Sequence, residues 1–517
     1  MFNKSNNADK HFLEAFHTLS EAARAIPDTA LDPERARHFI EDWQRMAEQA
    51  VLTANLYSLR LMLDSLRNMV KHHPEWKTVL CRYAGRLAWI SGDYPQAQHY
   101  FTQALVMAQA QGEVAVTITA QLDLAEVLLS QGWFLRVEKL LKLGLEFSYQ
   151  HHLELEQLQI LNRLGRLYHY QQDWEISQTY LGQAFSLLEA KKKVYLGSKV
   201  TPLKLHLEEA FNYHWLGTNY LAVRQWSEAE TYLSKSLNVS NQHRNVLGIA
   251  ETLLKLGMVY NQDNHHDSAL LCFNGSLVLC EQLYYLPLLL QAYYYKGLTY
   301  CRLGQYQEAL SPARRAVELG LETEQTEWLA RAFYNLGQVY HHLKEPKLAL
   351  ACHLRSAELY LSTYQQPQWI EILIDTGNFL LSLQDQRAYW EQALECYRKA
   401  ISLMESNQKL EHMAPVVGKM ARAFTKVNGM AGLEDAARCY RLQLQLAGDL
   451  DSVALPPKVA VAMRVEALTG ILCCSGLRIN QSRLLGTPVQ TSEPHTSGLS
   501  GLEIPPTTLD TSGLEIP

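Results

Sequence analysis

The sequence predicts an all-α chain, a solenoid of about nine helix-turn-helix units with helical caps and a disordered C-terminal tail. Three observations predict it. Small residues recur at a forty-residue interval, at Gly85, Ala125 and Gly165, then at Gly217, Gly257, Gly297, Gly337 and Gly377. A second small residue follows each of the first seven by twelve positions: Ala97, Val137, Ser177, Ala229, Ala269, Ala309 and Ala349. Between the two lies a turn with Gly or a polar residue and then an aromatic, as in Gly92-Asp93-Tyr94, Gln172-Asp173-Trp174 and Gly304-Gln305-Tyr306. A period of this length marks a stacked array, so domains are not counted from chain length alone. Small residues let two helix axes approach, and bulky residues such as Phe101, Leu181, Leu233 and Phe273 fill the space beside the crossing.

Taken in order, residues 1–78 lack the repeated phrase. They read as an N-terminal helical cap or degenerate repeat, with Pro33 at a helix start and Phe39, Trp43, Met46 and Ala50 at helical spacing. Residues 79–447 carry the nine units. Twelve extra residues lie between the third and fourth units, in the Lys-rich segment Lys191-Lys192-Lys193 to Thr201-Pro202, expected as a solvated loop. The eighth unit is four residues longer, the ninth degenerate around Ala421, Phe424 and Ala436, and Pro346 replaces the seventh unit's turn aromatic. Residues 448–474 are expected to supply a C-terminal capping helix. Of the 43 residues in 475–517, 22 are Gly, Pro, Ser or Thr and none is aromatic, which predicts disorder. SGLEIP occurs twice there, at 500–505 and 512–517.

These residues resemble the tetratricopeptide repeat (TPR) family, in its forty-residue form. The phrase Ala332-Phe333-Tyr334-Asn335-Leu336-Gly337-Gln338-Val339-Tyr340, followed by Ala349, is especially similar. The resemblance implies a right-handed superhelix in which the first helix of each unit lines a concave face. It implies a role in binding other proteins, without naming one.

Composition and motifs exclude several function classes. Lys+Arg 47 against Asp+Glu 53 leaves −6, so no basic excess points to nucleic acid. The conspicuous uncharged run, Gln282 to Tyr295, is shorter than the roughly 20 residues of a spanning helix and holds Pro287. Nine scattered cysteines without CxxC suit a reducing compartment, so the expected location is cytoplasmic. No phosphate-cradling Gly-rich loop and no HExxH occurs. The His pairs at 72–73, 151–152, 265–266 and 341–342 point about 100° apart on a helix and do not suggest a metal site. The expectation is no cofactor, no metal and no catalysis.

The inward positions implied by the resemblance carry Arg82, Arg86, Arg163, Arg166, Lys255, Arg302, Arg331, Lys419, Arg422 and Lys426, against Asp123, Glu126, Glu251, Glu371 and Asp375. Aromatics share the lining: Tyr83, Trp89, Tyr170, Phe211, Trp215, Tyr294, Tyr295 and Tyr334. Asn162 and Asn335 offer amide donors and acceptors to an extended backbone. Arginine beside aromatics suits carboxylates with apolar anchors. The expected function is therefore a scaffold or adaptor that binds an extended or helical, partly acidic peptide segment of a partner. The residues expected to carry it are Arg82, Arg86, Arg163, Arg166, Tyr170, Trp215, Tyr294, Tyr295, Arg302, Arg331, Tyr334 and Asn335. The alternative is a ligand-responsive regulator whose superhelix changes shape. The SGLEIP copies are candidate docking motifs, in cis to the groove or in trans.

Overall fold

A computed structural model describes residues 33–53, 55–195, 203–283, 285–323, 325–362, 366–382, 387–406, 413–426, 430–449 and 465–474. Among them the regular elements are helices, with no strand. The chain forms two compact units, 1–299 and 300–517. The tail 475–517 with its SGLEIP copies lies outside the described residues.

In the first unit a cap pair, α1 (Pro33–Leu52) and α2 (Leu56–Met69), precedes the repeats. Trp43, Leu59, Met62, Leu63 and Leu66 form one core with Trp76 and Tyr83, so the cap covers the apolar end of the first repeat. Five helical hairpins follow: α3 (Lys77–Ile90) with α4 (Tyr94–Gln111), α5 (Val114–Ser130) with α6 (Phe134–Gln150), α7 (Glu154–Tyr170) with α8 (Trp174–Tyr195), α9 (Leu203–Ala222) with α10 (Trp226–Gln242), and α11 (Val246–Gln262) with α12 (His266–Leu283). Helix α13 (Leu286–Arg302) ends at the division between the units. The second unit continues with α14 (Tyr306–Thr323), α15 (Thr326–His342), α16 (Pro346–Ser362), α17 (Gln366–Ser382), α18 (Arg387–Ser406), α19 (Met413–Lys426) and α20 (Met430–Asp449); residues 465–474 are also helical.

The periodic glycines explain the hairpins. A Cβ on Gly85 would lie 2.6 Å from the Phe101 ring, on Gly165 2.5 Å from Leu181, on Gly217 2.7 Å from Leu233 and on Gly257 2.5 Å from Phe273. Each pair is sixteen residues apart, so the small residue of one helix is the socket for a bulky residue of the next. In the second unit His353 sits on Gly337 and Tyr397 on Gly377. Serines on second helices tie the packing with hydrogen bonds to first-helix carbonyls: Ser236 Oγ to Ala210 O at 2.8 Å and Ser276 Oγ to Ala250 O at 2.9 Å.

The turns repeat as well. A left-handed residue falls at Gly92, Gly132, Gln172, Arg224, Asn264, Gly304 and Lys344, with φ between 61° and 81°. This conformation closes the first helix of a hairpin, and at Gly92 it is followed by the Asp93 cap, which accepts from Gln96 N at 3.0 Å.

The start of the Lys-rich insertion, expected as a loop, is helical, and residues 196–202 lie outside the described residues. Helix α8 runs on to Tyr195, so Lys191 to Lys193 are helical. Lys191 pairs with Glu154, and Lys192 lies 2.8 Å from Glu209 of α9. Unbroken helix former residues (Leu187-Leu188-Glu189-Ala190) carry the helix through, and two carboxylates compensate the lysine charge.

Candidate functional site

The first helices of consecutive hairpins place residues about forty positions apart side by side, and in the first unit those residues interlock. Arg82 Nε of α3 donates to Asp123 of α5 at 2.7 Å. Arg86, also on α3, donates to Glu48 of α1 at 2.8 Å and to Asp123 at 3.1 Å. Arg163 of α7 reaches Glu126 of α5 at 3.0 Å and Glu208 of α9 at 2.9 Å, and Arg166 pairs with Glu126. Asn162 donates to Glu208 at 2.9 Å and accepts from Asn212 at 2.8 Å. Burial disfavours the charges of Glu48, Asp123 and Glu126, but the neighbouring guanidinium groups outweigh it and hold all three carboxyls below their usual range.

This corrects the expected excess of positive charge on this face. Glu48 and Glu208 were not among the anticipated inward positions, and with Asp123 and Glu126 they neutralise Arg82, Arg86, Arg163 and Arg166. Glu208 stands nine residues before Gly217, beyond the positions counted as inward, and α9 with its 20 residues is long enough to present it. Glu48 belongs to the cap, which has no repeat phrase to align it.

The anticipated aromatics divide into two groups. Tyr170 is 49 % exposed and lies edge-on to Trp215, their centroids 5.5 Å apart. Arg166 stands over the Trp215 ring at 5.7 Å and Arg163 over Phe211 at 3.9 Å. Trp215 itself is buried. Tyr295 is stacked on Phe273 at 5.9 Å and touches Tyr294 edge-on at 5.0 Å, which makes Tyr295 a packing contact between hairpins.

Two residues close the interior. Trp89, near the end of α3, meets Tyr285, just before α13, at 5.9 Å between ring centroids. The first hairpin and the segment after the fifth thus touch, so this unit curls back on itself. Tyr285 has Tyr94, Tyr170, Arg166 and Glu251 as electrostatic neighbours, and burial pushes its hydroxyl well up. Glu251 on α11 makes no hydrogen bond and no ion pair among the described residues; burial raises its carboxyl to about 7, with Arg166 and Lys255 opposing and Glu126 assisting the rise. Lys255, one turn further on, is lowered by burial against the pull of Glu251. His169 and His214 are pushed down to about 4 and about 3 by burial.

The remaining anticipated residues belong to the second unit. Arg331 pairs with Glu327 on its own helix at 2.7 Å and stands 5.0 Å from the Trp328 ring. Tyr334 donates to Asp375 of α17 at 2.5 Å. Asn335 accepts from Cys301 Sγ at 3.6 Å, and Arg302 is exposed. Lys426 donates to Leu381 O at 2.8 Å and Arg422 pairs with Glu466. Among the described residues no three His, Cys, Asp or Glu side chains converge as metal ligands, and no helix is long and apolar enough to cross a membrane.

The sequence pattern of the tetratricopeptide repeat family matches residues 288–362. Residues 288–362 carry tetratricopeptide repeats. Helices outside the matched segment share its glycine sockets and left-handed turns. No curated protein matches the chain in sequence. Solved structures similar to it include the apo form of the quorum sensor NprR from B. thuringiensis, at 17 % identity over 71 % of this chain and 97 % of that one, TM-score 0.48. Others are a Rap protein complexed with competence and sporulation factor, at 13 % identity over 70 % and 99 %, TM-score 0.43, and a STAND protein with a tetratricopeptide repeat sensor from Pyrococcus horikoshii. The last shares 14 % identity over 77 % of this chain and 53 % of its own, TM-score 0.48.

Proposed function

We propose that this TPR array is a non-catalytic scaffold or adaptor that binds a peptide segment of a partner protein on the inner face of its first helices. The observation that carries the reading is the half-exposed Tyr170, set beside Trp215 and Arg166 on that face. An exposed ring backed by a buried indole is the kind of anchor that interfaces concentrate their binding energy on. Because the arginines of the first unit are already neutralised, we infer a partner segment of mixed charge in place of the acidic one expected from sequence. Arg302, Arg331, Tyr334 and Asn335 would serve the same role in the second unit.

The test is affinity capture from the native cell extract with the full chain and with Tyr170→Ala, which leaves the ion pairs in place. Retention of a protein by the first and its loss from the second, with unchanged far-UV circular dichroism, supports the reading. Equal retention overturns it.

The closure between Trp89 and Tyr285 favours a second reading, a regulator that holds a short ligand and changes shape with it. A ligand-dependent change in the X-ray scattering profile would support that role. We also propose the SGLEIP copies as docking motifs. If they occupy the inner face in cis, deleting 475–517 raises partner affinity; an unchanged affinity removes that idea.

A further inference from the structure

We propose that the interior of the first unit binds a ligand that carries a cation and a carboxylate together, and that Glu251 and Lys255 read those two charges. The proposal rests on the inner-face binding function above and names the chemistry of its ligand.

The buried and half-buried charges of this interior balance. Among the described buried and half-buried side chains, five cations (Arg82, Arg86, Arg163, Arg166 and Lys255) face five carboxylates (Glu48, Asp123, Glu126, Glu208 and Glu251), with the exposed Lys204 also within electrostatic reach of Glu48. Eight of the ten are locked to one another in the ion pairs already described. Glu251 and Lys255 are the remaining two. They sit one turn apart on α11, within each other's electrostatic reach, yet make neither a hydrogen bond nor an ion pair among the described residues. The groups facing Glu251 are Arg166, Arg163 and Tyr170 of α7, Glu126 of α5, Lys255 on its own helix, Cys280 of α12 and Tyr285. Those facing Lys255 are Glu251, His169 and His214.

Unsatisfied donors lie in the same place. Arg166 Nε and Trp89 Nε1 are both buried without a hydrogen-bond partner. A buried donor left unpaired is costly, so native structures keep such groups where something else supplies the acceptor. The walls are aromatic: Tyr170 on one side and the Trp89–Tyr285 contact closing another. Tyr170 keeps half its surface accessible although burial raises its hydroxyl, the combination expected of a residue lining a narrow hollow.

A neutral interior with one separated pair of opposite charges disfavours a ligand of single sign, which would leave net charge in a poorly solvated space. A ligand with both signs places its ammonium or guanidinium against Glu251 and its carboxylate against Lys255 and the Arg166 Nε–H. That chemistry has two sources: the termini of a short free peptide, or neighbouring basic and acidic side chains within a protein segment.

The test uses the full chain at pH 8, where Glu251 is ionised, and a randomised hexapeptide pool in two forms, with free termini and with acetylated and amidated termini. Binding is read by native mass spectrometry and by the shift in melting temperature. The free-ended pool is expected to bind, and Glu251→Gln and Lys255→Met are each expected to weaken it about tenfold or more, a loss of about 1.4 kcal/mol or more. If the capped pool binds as well and both variants weaken it, the charges come from side chains and the site stands. Binding indifferent to both substitutions, or no binding by either pool, overturns the proposal. The broader scaffold reading fails separately, because it is judged by Tyr170→Ala and partner capture.

Discussion

The inner residues of both units are charged, and those of the first unit form ion pairs that cross its hairpin boundaries. In the first unit, Glu48, Asp123, Glu126 and Glu208 each reach a guanidinium on a neighbouring first helix, so the ion pairs run from α1 through α9 across hairpin boundaries. In the second unit Arg331 pairs within its own turn of α15, and Tyr334 to Asp375 links α15 to α17 through a neutral donor. A solenoid is held by contacts between neighbours, so a charge network that crosses boundaries fixes the relation of one hairpin to the next, which a pair within one helix cannot do. The first unit is built to hold its curvature, as the Trp89–Tyr285 closure requires.

The strongest way to break this comparison is Asp123→Asn beside Asp375→Asn. The first leaves Arg82 buried against a neutral amide, with Arg86 keeping only Glu48, and stranding buried charge in this way costs about 3–5 kcal/mol. The second weakens a hydrogen bond to a tyrosine, worth about 1–3 kcal/mol when the acceptor is charged. Chemical denaturation followed at the tryptophans of the first unit should show a large loss for Asp123→Asn and a smaller one for Asp375→Asn. Equal losses would mean that the network does not distinguish the units.

Next in size is Gly257→Ala. The added Cβ would stand 2.5 Å from the Phe273 ring, itself fully buried, so either the ring or the hairpin must move. Overpacking of this kind costs about 1–3 kcal/mol. The double variant Gly257→Ala with Phe273→Leu should recover part of the loss in thermal denaturation, as Leu already fills the same socket at Gly165 and Gly217.

That socket is also the reason so much of the fold was legible. A forty-residue recurrence of small and bulky positions is the packing rule itself written along the chain, and it placed the hairpins and their turns. The candidate site was less legible, because register predicts which side of a helix faces inward but not what the inward residue meets. Arg82, Arg86, Arg163 and Arg166 do lie on that face, yet whether they greet a ligand or a carboxylate depends on Glu48 and Glu208, which sit outside the repeat phrase. The Trp89–Tyr285 contact joins residues 196 positions apart; it depends on the curvature accumulated over five hairpins, which no local pattern records.

Protonation sharpens the comparison further. Glu251 is raised to about 7 by burial, so between its unfolded value near 4.5 and 7 the folded chain holds a proton that the unfolded chain has released, and stability falls as pH rises through that window. Glu251→Gln should therefore stabilise the first unit by on the order of 1 kcal/mol at pH 8 and leave it unchanged below about pH 4.5. His169 and His214 act in the opposite sense. Lowered by burial to about 4 and about 3, they refuse protons that the unfolded chain accepts below 6.5, so stability is lost on acidification from there downward. Melting temperatures of both chains from pH 4 to 8 separate the two contributions, and a Glu251→Gln effect independent of pH would refute this assignment.

The smallest effect is expected at the turns, where the two units follow the same rule with different residues. Gly92, Gly132 and Gly304 adopt the left-handed conformation without a Cβ penalty, whereas Arg224 (φ 62°) and Lys344 (φ 63°) adopt it with one. For an L-residue that conformation costs roughly 1 kcal/mol, part of which a glycine gives back through the greater freedom of its unfolded state. Arg224→Gly and Lys344→Gly should each gain at most about 1 kcal/mol, and by similar amounts, because both exposed side chains leave the boundary-crossing ion pairs untouched. Matching gains would place the difference between the units in the side chains that cross hairpin boundaries and not in the backbone of the hairpins, whereas a loss of stability at Arg224 alone would show that the first unit also depends on its turn residues.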